Sequence, residues 1–141
     1  MKILVAADIS PTAVRIYEFL HNFLKPLASV KPEVTILHVF EPELDYSEEA
    51  PKANAQCKPT SEQELRHIFS PLSDVCKLEY LIINDFPGDS ILKHAEKVEL
   101  IVMGRRRRGQ MIEMVTGSLS QFILHRVSCP VMIIPEPTTR G

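Results

Sequence analysis

Two short stretches carry the residues best suited to chemistry. Gly104-Arg105-Arg106-Arg107-Arg108-Gly109 puts four guanidinium groups between two glycines, and Gly117-Ser118 follows at the start of a helical pattern. Glycine lets a backbone turn sharply or approach a ligand closely. A helix N-terminus with free N–H groups favours an anion, and the Ser118 hydroxyl adds a donor. Arginine offers charge-assisted, bidentate bonds to phosphate oxygens. Asp8, just after the first apolar run, can accept from a ribose hydroxyl or an amino group. Together these residues describe an anion site, although glycines also simply turn chains and Ser10 or Ser118 can serve only as helix caps.

The elements that would hold these residues alternate. Lys2 to Ala7 is a nearly unbroken apolar run, as in a strand buried on both faces of a parallel sheet. Ser10 and Pro11 suit an N-cap and first helical position. Ala13, Ile16, Tyr17, Leu20, Phe23, Leu24 and Leu27 then recur at helical spacing, with Pro26 bending or ending the helix. Val34 to Phe40 reads as a second strand. Ser61 and Glu64 form a capping box for a helix carrying Leu65, Ile68 and Phe69, up to Pro71. Leu78 to Ile83 is a third strand, Pro87 to Lys97 a helix, Leu100 to Met103 a fourth strand, Ser118 to Val127 a helix and Val131 to Ile134 a last strand. This alternation predicts an α/β fold, a parallel sheet with helices on both faces joined by right-handed crossovers. Glu41 to Pro59, with three prolines and no apolar period, predicts a long loop, either a lid or interaction segment or a tolerated insertion.

Composition narrows the field. The 141 residues suit one domain, 1–141, and 45% hydrophobic with 24% charged residues is globular material. No apolar run is long enough to cross a bilayer, and the N-terminus lacks a secretory pattern, so a cytoplasmic protein is expected. A net charge of −2 attracts neither DNA nor an anionic membrane, and the arginine run has no interleaved aromatics. Neither nucleic acid nor membrane is an expected partner. Cys57, Cys76 and Cys129 are an odd number without C-x-x-C spacing, which predicts reduced thiols and no structural metal. His38 reads as a satisfied core histidine, His125 with Cys129 as no metal site, and Met103, Met111 and Met114 as core or pocket lining. No catalytic motif is present, and no catalytic residue is assigned.

The block IVMGRRRRGQMIEMVTGSLSQFILHRVSCPVMIIPE resembles the C-terminal signature of universal stress proteins. KILVAADIS, ILHVF and FPGDSILKHAEKVELIVMG resemble earlier segments of that family, so the resemblance spans about residues 2 to 135. It implies an open five-stranded sheet of order 3-2-1-4-5, of the adenine nucleotide alpha hydrolase-like kind. It also implies a homodimer, paired through Val131, Met132, Ile133 and Ile134, and an edge strand that apolar has a physical motive to pair. Nucleotide-binding members carry G, two residues, G, nine residues, G, then Ser or Thr. Gly104, Gly117 and Ser118 fit, whereas the second glycine falls on Arg107, with Gly109 two residues further on.

Should ATP or ADP bind, with Mg2+ entering only alongside it, the resemblance places Ala7, Asp8 and Val39 near the adenosine. Met103, Gly104, Arg106, Gly117, Ser118, Leu119 and Ser120 would then neighbour ribose and phosphates, with Arg107 and Gly109 in the same loop. The implied function is stress-response signalling by nucleotide binding, with an unidentified signalling partner. A dimeric adaptor that does not bind nucleotide is the alternative, because the Arg107 side chain can fill the phosphate space as well as bind it. Slow phosphoanhydride hydrolysis through Asp8 and the arginines is a third reading.

Overall fold

The computed structural model describes residues 1–40, 59–104 and 118–135. Strand β1 (Lys2–Ala6) leads to helix α1 (Pro11–Leu24) and a 3-10 turn over Lys25–Val30. β2 (Glu33–Phe40), α2 (Pro59–Phe69), a 3-10 turn over Ser70–Asp74, β3 (Lys77–Asn84) and α3 (Pro87–Ala95) follow. β4 (Leu100–Gly104), α4 (Ser118–Leu124) and β5 (Val131–Ile134) complete the order. The five strands form one parallel sheet in the order β3-β2-β1-β4-β5.

Side chains alternate across the sheet, as the two-residue strand period requires. Ile3, Val5, Val34, Ile36 and Val102 join Ile16, Leu20 and Leu24 of α1 and Leu65 and Phe69 of α2 in one core. Leu4, Leu37, Ile101 and Met103 join Ile91 and Ala95 of α3 and Ile123 of α4 in a second. Each face of β1 and β4 is therefore apolar, which explains why those strands lack any polar alternation.

Several sequence expectations shift by a residue or two. β3 runs on to Lys77 and Asn84, whose polarity hid them, and α3 stops at Ala95 rather than Lys97. α4 stops at Leu124, although Val127 still donates its N–H to the Ile123 carbonyl and packs on the second core. The capping box is a correction. α2 begins at Pro59, which presets the first helical φ, so Ser61 lies inside the helix and cannot cap it. Phe23 is a second correction. It is exposed and stacks on Phe19 with ring centroids 5.6 Å apart, because it falls at the edge of the buried stripe of α1. The long-loop reading of Glu41 to Pro59 is corrected at Pro59, which begins α2; the rest of it, with Cys57, lies outside the described residues.

Cys76 is buried against the first core, and its thiol donates to the Leu72 carbonyl at 3.2 Å. Burial pushes that thiol up to about 11 from 9.0, so it stays protonated and unreactive at neutral pH.

Candidate functional site at the β1–β4 crevice

From β1 the chain steps sideways to β2 and then β3, and next crosses back to place β4 on the other side of β1. In doubly wound sheets the connections diverge at such a reversal of strand order and leave a crevice beyond the carboxyl ends of the strands, here those of β1 and β4. Ligands of doubly wound sheets bind at that point. Ala6 and Met103 are register partners at this end of the two strands, so Ala7, Asp8 and Gly104 stand side by side at the rim.

The β1–α1 turn is held from β2. The Ala7 N–H donates to the Leu37 carbonyl at 3.0 Å. The His38 ring donates from Nδ1 to the Ala7 carbonyl at 2.9 Å, since a carbonyl only accepts. His38 is therefore a satisfied histidine, as its apolar strand suggested, and it also fixes the segment that presents Asp8. Val39 sits at the same end of β2, half-buried in the second core.

Gly104 shows why this position has no side chain. A Cβ added there would lie 2.5 Å from Thr12 Cγ2, closer than real Cβ contacts come. The demand is steric and not one of left-handed backbone, because Gly104 carries no positive φ. Thr12 packs into the space the missing side chain leaves. It is 3% exposed in a helix whose neighbouring inward residues are Ala13 and Ile16.

Two hydroxyls in this turn stand out. Ser10 adopts the extended backbone of an N-cap (φ −143°, ψ 167°), yet its side chain makes no capping bond. Ser10 Oγ and Thr12 Oγ1 are both buried, and neither has a hydrogen-bond partner among the described residues. A buried hydroxyl left unpaired costs about 1–3 kcal/mol. Sequence reading gave Ser10 a capping role and passed over Thr12. The available signal for Thr12 was a polar residue four positions before Ile16, on the apolar face.

On the far side of the crevice, Met103 is buried, Leu119 is half-buried on the second core, and Ser120 is buried in the first turn of α4. Ser118 opens that helix. Arg106, Arg107, Gly109 and Gly117 lie outside the described residues. Among the described residues no group of three or more His, Cys, Asp or Glu could hold a metal ion, and no helix is long and apolar enough to cross a membrane.

An open parallel sheet whose strand order reverses at β1 defines a doubly wound α/β protein. The universal stress protein family model matches residues 1–135, and the chain belongs to that family. The universal stress protein in QAH/OAS sulfhydrylase 3′region of Thermus aquaticus is 31% identical over 106 residues, covering 70% of this chain and 74% of that protein. A universal stress protein solved in complex with cAMP shares the fold with a TM-score of 0.67 at 16% identity, covering 97% of this chain and 98% of the other. The universal stress protein of Archaeoglobus fulgidus in complex with dAMP does so with a TM-score of 0.59 at 21% identity, covering 95% and 97%.

Proposed function

We propose that this protein binds an adenine nucleotide, ATP or ADP, in the β1–β4 crevice and signals stress as a homodimer, with binding rather than turnover as its output. One observation carries the reading: the crevice rim combines a glycine that must stay bare, Gly104, with unpaired buried hydroxyls on the facing turn. Family members in complex with cAMP and dAMP support an adenine ligand. Ala7, Asp8 and Val39 would neighbour the adenosine, and Met103, Gly104 and the start of α4 the ribose and phosphates. Magnesium would arrive with the nucleotide, held by phosphate oxygens and water.

The test is a thermal melt with ATP. A ligand at about 100 times its dissociation constant adds about 2.7 kcal/mol of stability, a rise of about 8 °C for a chain of this size. No rise at millimolar ATP would remove the nucleotide and leave the adaptor reading, which Arg107 in place of the motif glycine favours. In that case Arg107→Gly asks whether the side chain is the obstacle, and a gain of binding answers yes. Magnesium-dependent phosphate release above an Asp8→Ala control would overturn binding without turnover.

Dimerisation has its own physical support. The β3 edge carries Lys77 and Glu79, charges that discourage another strand from pairing, whereas β5 reads Val131, Met132, Ile133, Ile134 without one. Of these only Ile134 is fully buried in a single chain. Ile133→Lys should convert a dimer to a monomer in sedimentation velocity and also lower the melting temperature, because Ile133 is half-buried against the second core. A wild-type protein that sediments as a monomer at micromolar concentration sinks the pairing.

A further inference from the structure

We infer that the β1–α1 turn is a phosphate subsite of the crevice, with Thr12 Oγ1 and Ser10 Oγ donating to a phosphoryl oxygen; this rests on the nucleotide reading above. α1 spans fourteen residues and directs the positive end of its dipole at this turn. Thr12 is 3% exposed, and its hydroxyl has no partner among the described residues. Its side chain lies against Gly104, at the carboxyl end of the strand across the crevice. The Ser10 hydroxyl is also buried and unpaired, on the extended residue that precedes the helix. A helix cap or a packed core would each have satisfied or removed these groups. Among the described residues neither hydroxyl has a hydrogen-bond partner, so both are open to an acceptor from outside, and the helix dipole favours an anionic one.

The expected signature is a change of opposite sign in the free and the liganded protein. Thr12→Val keeps the shape and deletes the unpaired hydroxyl, so the free protein should melt about 3 °C higher. The same variant should bind ATP about tenfold more weakly while its affinity for adenosine is unchanged, a tenfold loss being what one charge-assisted hydrogen bond supplies. Thr12→Ser should restore ATP binding, and Ser10→Ala should repeat the pattern. Titration calorimetry with ATP and adenosine, alongside melts without ligand, gives every readout.

Unchanged ATP affinity in Thr12→Val overturns the subsite, as does a lower melting temperature of the free variant, which would mean that the hydroxyl is already satisfied. An equal loss for adenosine and ATP overturns the phosphate assignment. Absence of ATP binding by the wild type is a different failure, one that removes the nucleotide reading itself.

Discussion

Phe69→Ala should cost about 3–5 kcal/mol, the largest loss expected from any single truncation in this chain. Among the described residues Phe69 is the largest fully buried side chain, and it sits where α2 meets the core built by β1, β2 and α1. Deleting its ring removes the transfer free energy of the buried atoms. It also leaves a cavity walled by elements that cannot collapse onto it, because the sheet fixes one wall. Domains of this kind hold about 5–15 kcal/mol in total, so the variant should unfold at a much lower urea midpoint with an unchanged slope. Phe23→Ala is the internal control. Its ring is 38% exposed and touches chiefly Phe19, so a loss of about 1 kcal/mol or less is expected. Equal losses at the two positions would mean that the first core is not where the stability lies.

Gly104→Ala is the second large effect, and the one that links packing to the site. The new methyl would stand 2.5 Å from Thr12 Cγ2, with the Thr12 Cβ and the tip of Ile16 next in line. Something must move. The Thr12 side chain is short and buried, so the movement passes to the first turn of α1. Overpacking of this kind costs about 1–3 kcal/mol. The displaced turn carries Ser10 and Thr12, so ATP affinity should fall by more than the stability loss alone would produce at saturating folded protein. Denaturation curves separate the first effect, and calorimetry well below the melting temperature separates the second. Wild-type stability in this variant would show that the Thr12 contact is loose, and the steric account of Gly104 would fail with it.

Much of this architecture was legible in the residues. Short apolar runs such as KILVAA and LIVM read as strands buried on both faces, and three-and-four spacing in α1 places Ile16, Leu20 and Leu24 inward. The strand order 3-2-1-4-5 came from the resemblance, since periodicity carries no information about which strand neighbours which. What stayed hidden depended on contacts between distant segments. Phe23 has the right spacing for burial, but among the described residues it stays exposed and stacks on Phe19. Ser61 and Glu64 have the right spacing for a cap, but Pro59 starts the helix earlier. Thr12 and Gly104 are separated by most of the chain, and only the crossover that brings β4 beside β1 makes one residue's bareness the reason for the other's burial. The candidate site was likewise legible at Asp8 and Gly104 and illegible at Ser10 and Thr12, because an unpaired hydroxyl is a property of surroundings and not of residue type.

The central position of β1 has a consequence for biosynthesis. The strand made first pairs with β2 on one side and waits for β4 on the other, so a growing chain that has not yet emerged past residue 104 shows a bare ladder of backbone donors and acceptors along its most apolar segment. A nascent chain of this length exposes an unpaired apolar strand edge, and the β1–β4 pair that borders the candidate site does not exist until β4 has been made.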